Sequence, residues 1–330
     1  MWDISHIVEI CGEQSGCPSD GQISWLPPAD LSLFLALPDW EIDRIEVGAH
    51  LTLRLISPSG MALDAQLLPL KEVVEPPSLP SDIPPVARFA HATSFWAYRV
   101  RRMVAFPDDL DMAPVFLLPP GDRMSHPVAV AMSRFHAYIE PIPSAEVYQP
   151  LALTEGALRV LEQAAPMGLE IRVGPFGALA LCGPGLRLVA PSDGRRIYRE
   201  PLFHVLAQVE QGVSAQAWAS PRALFAHLRP HQAVLSHHRD EHGLSLHIQG
   251  DLISFRSPHP DGDSIMSTSS VFLADRGMGE GRMVILRRMV DLLMTFLEGA
   301  SQEVELRIVG NILVARSGDR QLILAGVADS

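Results

Sequence analysis

Lysine, cysteine and long apolar runs are all scarce in this chain of 330 residues. Only Lys71 among its 26 basic residues is a lysine, and charged residues make up 19% of the total. Three cysteines, Cys11, Cys17 and Cys182, are too few for a disulfide framework, so we expect a reducing, cytoplasmic setting. No run of about 18 apolar residues indicates a membrane span, and the acid-bearing N-terminus does not resemble a secretory signal.

Recognisable catalytic motifs are also missing. The sequence has no Gly-x-Ser-x-Gly, no Walker loop and no Gly-x-Gly-x-x-Gly ahead of a helix. Asp108, Asp109 and Asp111 lie beside prolines, where an exposed acidic turn is expected, with a weak magnesium site as the alternative. We therefore predict a protein that is not an enzyme and that uses no cofactor.

Composition bounds the remaining classes. The apolar fraction of 47% is ample for hydrophobic cores, and the length predicts two or three domains. A net charge of −12 argues against a wholly basic nucleic-acid coat, but it leaves room for a local basic surface.

Short strands that alternate apolar and polar residues dominate the sequence. Between them lie a few amphipathic segments, and helices are predicted at about 29–37, 88–102, 153–165, 221–235 and 284–299. Because helices and strands do not strictly alternate, the pattern predicts an α+β fold rather than a doubly wound parallel sheet.

An internal repeat organises these elements. Three segments, at 29–69, 155–191 and 287–327, each read as a short helix followed by three strands. Corresponding parts lie about 125–136 residues apart, which is the spacing of domains rather than of a solenoid. Glycines such as Gly310 and Gly318 fall between the strands, where a hairpin turn requires a positive φ.

Further motifs follow the order of one known family. Residues 67–80 combine a Leu-Pro with an acidic, proline-containing linker, and 88–97 contain an Ala-Thr-x-Phe helix start. Residues 128–143 begin with a Val-Ala segment that leads to Arg134, and 193–202 carry an Asp-Gly-Arg linker. Together with the last helix and strands at 283–327, these motifs resemble the bacterial DNA polymerase III sliding clamp, the β clamp.

The resemblance implies repeats of short helices on antiparallel sheets in three domains, 1–82, 83–192 and 193–330. It also implies a homodimer that surrounds or contacts duplex DNA during replication as a processivity factor, without a membrane. A DNA polymerase, or another protein with a clamp-binding motif, would be its partner.

A second hypothesis comes from departures from the family pattern. Only 28 residues precede the predicted helix at 29–37, so we expect a shortened first domain. The C-terminal tail is also altered, reading Ala325-Gly326-Val327. The alternative is a clamp-fold adaptor or scaffold that binds protein partners without forming a ring on DNA.

Two surfaces follow from the resemblance. Arginines on the inner helices of a clamp face phosphates without reading bases; the candidates are Arg88, Arg99, Arg101, Arg102, Arg159, Arg222, Arg229, Arg287 and Arg288. A cleft between domains two and three receives apolar anchors of the partner; its candidates are Arg134, Phe135, Ile197, Pro201, Ile323, Leu324 and Ala325. For each arginine the alternative is an ordinary solvated helix face, and for each apolar residue it is plain core.

A third hypothesis is a metal-dependent enzyme that uses the histidine-rich segment 227–247. His227 and His231 have the i, i+4 spacing that can place two imidazoles on one metal. Pro230 stands between them and no zincin-type glutamate follows, so a solvated loop around 237–242 is favoured over a metal site.

Overall fold

The computed structural model describes only part of the chain. The described residues are 7–10, 44–47, 52–56, 62–66, 83–89, 94–104, 113–121, 124–154, 157–158, 161–162, 169–174, 178–183, 186–191, 197, 199–237, 243–257 and 268–326. Two compact units divide the chain: Met1–Arg101 with Val115–Val128 and Ile142–Arg195, and Arg102–Pro114 with Ala129–Pro141 and Arg196–Ser330. The three domains expected from the sequence stay a prediction.

Short strands dominate both units. In chain order they are β1 (Ile7–Ile10), β2 (Arg44–Val47), β3 (Thr52–Ile56), β4 (Ala62–Gln66), β5 (Ala87–Phe89), β6 (Val115–Leu118), β7 (Val128–Met132), β8 (His136–Pro141), β9 (Ala145–Val147), β10 (Leu151–Ala152), β11 (Leu169–Val173), β12 (Ala178–Gly183), β13 (Leu186–Pro191), β14 (Ala215–Ala219), β15 (Gly243–Gln249), β16 (Leu252–Arg256), β17 (Ser269–Leu273), β18 (Arg276–Leu286), β19 (Val304–Val309), β20 (Ile312–Ser317) and β21 (Arg320–Ala325). The helices are α1 (Ser94–Arg102), α2 (Arg199–Gln211), α3 (Pro221–Ser236) and α4 (Arg287–Glu298).

The first unit is built on a six-stranded sheet with the order β1-β13-β12-β11-β5-β9, and each of these pairs is antiparallel. A separate three-stranded sheet has the order β2-β3-β4, and β10 pairs with β6. The core of the first unit includes Phe89 stacked on Trp96, with ring centroids 5.5 Å apart.

In the second unit, one continuous sheet runs in the order β7-β8-β21-β20-β19-β14-β18-β15-β16-β17. Helices α3 and α4 contact each other and bury apolar faces in this unit. In α4 seven residues are buried, among them Met289, Leu293 and Phe296, and the Phe296 ring meets Tyr138 edge-on at 6.2 Å.

The three strands of each predicted repeat form an antiparallel meander: β2-β3-β4, β11-β12-β13 and β19-β20-β21. The predicted helix of the third copy is α4. In the third meander, Val309 pairs with Ile312 and Ser317 pairs with Arg320, so both of its hairpins turn on two residues. The glycines in these turns, Gly310 and Gly318, have φ values of 56° and 58°. Positive φ costs glycine little, which explains its use there. The expected α+β class of helices on antiparallel sheets is therefore confirmed.

Helix boundaries differ from the prediction in instructive ways. The helix expected over 88–102 begins at Ser94, because Ala87–Phe89 pair with β11 as strand β5. The one expected over 284–299 begins at Arg287, because β18 continues to Leu286 in pairing with β15. Helix α3 matches its predicted range within one residue, with Pro221 in the first turn, where a missing N–H costs nothing. The helix predicted at 29–37 lies outside the described residues.

Candidate DNA and partner interfaces

Helix α3 presents an arginine-bearing face that contains no acid. Its inward stripe, Leu224, Leu228, His231 and Leu235, is buried at three- and four-residue spacing. The opposite stripe carries Arg222, Ala226, Arg229 and Ala233, all exposed. The helix sequence holds no aspartate or glutamate, and neither of these arginines forms an ion pair with any residue that the structure describes.

Buried His231 fixes the orientation of α3. Its Nδ1 lies 2.8 Å from Ser257 Oγ and its Nε2 lies 2.9 Å from Ser270 Oγ, so both ring nitrogens are hydrogen-bonded. Burial lowers the pKa of His231 to about 4, and the charge of nearby His227 acts in the same direction. A neutral imidazole therefore links α3 to β17 and to the end of β16. The arginine-bearing face of α3, on the other side of the helix, is left to solvent.

Three other candidate arginines form ion pairs. Arg88 lies on β5, with Nε 3.0 Å from Glu170. Arg101 Nε lies 2.8 Å from Glu162, and Arg102 Nη2 lies 2.9 Å from Glu298. These pairs are at least partly exposed to solvent, so each contributes little to stability.

The remaining arginine candidates occupy separate positions. Arg99 is half-buried on α1, while half-buried Arg287 and exposed Arg288 are the first two residues of α4. Arg159 lies outside the described residues. The sequence did not reveal the ion-pair partners of Arg101 and Arg102. Glu162 lies 61 positions from Arg101, and Glu298 lies 196 positions from Arg102.

A hydrogen-bonded turn in the second unit presents Arg134 and Phe135. Phe135 N–H donates to Ser133 Oγ at 3.1 Å, and Ser133 Oγ lies 2.6 Å from His136 Nδ1. Since a carbonyl only accepts, His136 Nε2–H donates to the Met103 oxygen at 2.8 Å, which leaves Nδ1 to accept from Ser133. Burial lowers the pKa of His136 to about 4, partly opposed by the bond to Met103. The turn is thus held by a neutral histidine.

Strand β21 lies directly beside this turn. The pairing of β8 with β21 sets Ile323 opposite Ala137 and Leu324 opposite His136, and the Ala325 N–H donates to the Phe135 oxygen at 2.8 Å. Ile323 and Leu324 are 4% and 0% exposed, whereas the Phe135 residue is 48% exposed. The structure therefore brings Phe135 and Ala325 together at the surface and buries the other two.

The other two partner candidates lie between β13 and β14 in the sequence. Ile197 is half-buried, and exposed Pro201 is in the first turn of α2. This helix was not predicted, because its Asp-Gly-Arg and Pro neighbourhood reads as a linker. Its signal was the i, i+4, i+7 spacing of Leu202, Leu206 and Val209, which are all buried.

Two described histidines of the segment 227–247 contact other side chains, while residues 238–242 lie outside the described residues. The His227 ring stacks on Phe272 at 4.9 Å, and His247 Nε2 lies 3.3 Å from Glu280. Within the described ranges, no group of three His, Cys, Asp or Glu side chains is placed to hold one metal ion. Of the described helices, none is both long and apolar enough to cross a membrane.

These features define an α+β protein in which short helices lie on antiparallel sheets made from a repeated three-stranded meander. The chain matches no known protein-family profile and no curated protein. Its fold, however, is that of the bacterial DNA polymerase III β subunit, the sliding clamp. This confirms the resemblance noted in the sequence at the level of fold.

Solved sliding clamps from three bacteria match over almost the whole chain. The DNA polymerase III β subunit of Thermotoga maritima has a TM-score of 0.68 at 14% identity, covering 99% of this chain and 87% of that one. The Bacillus subtilis clamp has a TM-score of 0.64 at 13% identity, with the same coverage. The Pseudomonas aeruginosa clamp gives 0.63 at 11% identity, covering 99% and 92%. At such identities the likeness shows the fold alone.

Proposed function

We propose that this protein is a sliding-clamp-like tethering factor without catalytic activity. It contacts duplex DNA through helix arginines and holds a polymerase-type partner on a second surface. The observation that carries the DNA contact is the acid-free outer face of α3, where exposed Arg222 and Arg229 have no ion-pair partner among the described residues. Such a face neutralises phosphates without reading base sequence.

The negative net charge is compatible with this role. A chain of charge −12 that binds DNA only through selected helices limits sticking to the duplex elsewhere. Weak, phosphate-directed contacts also leave a bound protein free to move along the helix axis.

The proposed partner surface is the Phe135 turn with the adjoining end of β21. Half-exposed Phe135 beside Ala325 offers an apolar anchor point, and exposed Arg134 offers a charged group next to it. Apolar pockets with a polar rim are the usual receptors for short linear motifs. The hydrogen bonds of Ser133 and His136 preorganise this turn, which lowers the entropy cost of binding.

A second candidate function is a clamp-fold adaptor that binds proteins without encircling DNA. The pairing of Arg88, Arg101 and Arg102 with glutamates favours it, because paired arginines neutralise fewer phosphates. The adaptor keeps the Phe135 surface and dispenses with the α3 contact.

Retention on circular DNA separates the two. The protein is incubated with nicked plasmid, together with the clamp loader of a bacterial replisome, and passed over a sizing column; half the sample is linearised first. A tethering ring stays with the circle and is lost after linearisation. The DNA role is contradicted if the protein is absent from the DNA fractions of both the circular and the linearised sample and also shows no salt-dependent affinity for a short duplex. The adaptor is then the remaining function.

A further inference from the structure

An exposed aromatic ring lies among arginines on helix α1. Its apolar residues Trp96, Ala97 and Val100 are buried, which turns Tyr98, with 42% of the residue exposed, to the surface. The nine-residue helix carries three arginines and no acid. An exposed tyrosine offers an apolar ring face together with a polar hydroxyl group.

The neighbouring guanidinium groups suit a polyanion. The Arg101 guanidinium carbon lies 6.0 Å from the centre of the Tyr98 ring, one helical turn away, and half-buried Arg99 is adjacent in sequence. Arg101 also pairs with Glu162, but both side chains are partly exposed, at 31% and 22%. A phosphate must displace this carboxylate to bind Arg101, and the partial exposure of the pair to solvent lowers the cost of the exchange.

We propose that α1 is a stacking platform for unpaired nucleotides, in which Tyr98 holds one base and Arg99 and Arg101 hold the adjoining phosphates. A base paired within duplex DNA cannot offer its face to a surface tyrosine, so the platform selects single strands. The inference rests on the proposed DNA-binding function and adds a second, distinct nucleic-acid contact to it.

An acidic peptide is the competing occupant of a basic surface, and the ring argues against it. Arginine side chains by themselves can bind either phosphates or carboxylates, so binding of an acidic peptide would not need an aromatic ring. A base stacked on an aromatic side chain adds about 1–3 kcal/mol and tolerates any sequence, since each base has a π-face.

Fluorescence anisotropy with a labelled 20-nucleotide oligothymidylate and a labelled 20-base-pair duplex tests the platform. Tyr98→Ala is expected to weaken binding of the single strand roughly ten-fold, as loss of one stacked base requires. Tyr98→Phe keeps the ring and is expected to bind within about two-fold of the original protein. The salt dependence of single-strand affinity should not change in either variant, because no phosphate contact is removed.

A second measurement is independent of affinity. Irradiation of the protein with oligothymidylate carrying 5-iododeoxyuridine should cross-link Tyr98, identified by mass spectrometry, and an excess of an acidic peptide should not block the product. The platform is overturned if Tyr98→Ala and the original protein bind the single strand with equal affinity. It is also overturned if Tyr98→Ala loses the same affinity for the duplex as for the single strand. If duplex binding persists in that case, the proposed function stands without the platform; if neither probe binds, both fail.

Discussion

Arg222 and Arg229 differ from Arg88, Arg101 and Arg102 in having no ion pair with a described carboxylate. Because they lack described ion-pair partners, all of their charge is available to phosphates. We expect Arg222→Gln with Arg229→Gln to weaken duplex binding and to reduce the slope of log affinity against log salt by about two, near 0.9 per lost phosphate contact. Affinity measured at several salt concentrations gives this slope.

A matched variant controls for net charge. The double variant Arg256→Gln with Arg282→Gln removes the same two charges from exposed residues on β16 and β18, outside α3. It should leave the slope near that of the original protein. An unchanged slope in the α3 double variant would remove both arginines from the DNA interface.

Two buried histidines predict acid sensitivity. Burial lowers the pKa of His136 and of His231 from 6.5 to about 4, so between these pH values the unfolded chain binds more protons than the folded one. Stability is therefore expected to fall as pH falls from 6.5 to 4, by roughly 2 kcal/mol per histidine between pH 7 and pH 5.

Urea unfolding at pH 7 and pH 5 measures this loss. His136→Asn with His231→Asn should flatten the difference in unfolding free energy between the two pH values, whatever the variant's stability at pH 7. His204→Asn, on the exposed side of α2, should keep the full pH dependence. A steep pH dependence in the double variant would assign acid sensitivity to other groups.

Among the elements, strand β18 depends most on glycine. It pairs with β14 through Arg276–Gly279 and with β15 through Glu280–Leu286. Gly279 has a φ of 74°, and a Cβ there would lie 2.3 Å from the Ser214 oxygen. We expect Gly279→Ala to cost more than the roughly 1 kcal/mol of a positive φ, because backbone must also move.

Gly250→Ala is the comparison for this prediction. Its φ is 58°, but an added Cβ would meet no atom within 4 Å. Thermal or urea unfolding should therefore rank Gly250→Ala as the milder change, near 1 kcal/mol. Equal destabilisation by both would mean that the close approach at Gly279 is relieved without cost.

The elements also show how far local pattern reaches. Strands of the repeat were predictable because apolar residues alternate between glycine turns, as at β19, β20 and β21. Strand β18 was not, since its three glycines at 277, 279 and 281 oppose strand propensity and are explained only by close packing. The start of α1 was misplaced because Ala87–Phe89 pair as a strand with β11, whose paired residues lie 80 to 84 positions away.

The candidate site was less predictable than the fold for a related reason. Sequence identified arginines on helices, but an ion pair such as Arg102 with Glu298 forms only after distant segments fold together. The turn at 133–136 depends likewise on the Met103 carbonyl, 33 positions from His136. Which charges remain available is thus a property of the tertiary structure.

At the scale of the whole molecule, ring formation requires a second chain. Strand β17 ends the described sheet order of the second unit, contains no charged residue and exposes 61% of Val271 and 67% of Leu273. Leu252, 45% exposed, pairs with Leu273 and extends this apolar area. An uncharged, apolar edge strand is a site for pairing with another chain, so the predicted homodimer is expected to use it.

Leu273→Lys therefore should convert the dimer to a monomer, because a charge at the edge opposes apolar contact and strand pairing. Sedimentation equilibrium distinguishes the 36.1 kDa chain from twice that mass. Met278→Lys places the same charge at a residue 58% exposed on the central strand β18 and should leave the dimer intact. A monomeric original protein at micromolar concentration would contradict the homodimer, and a dimeric Leu273→Lys would move its interface away from β17. Since a ring needs two chains, the same lysine should also abolish retention on circular DNA while leaving short-duplex affinity, which one chain's α3 supplies, largely unchanged.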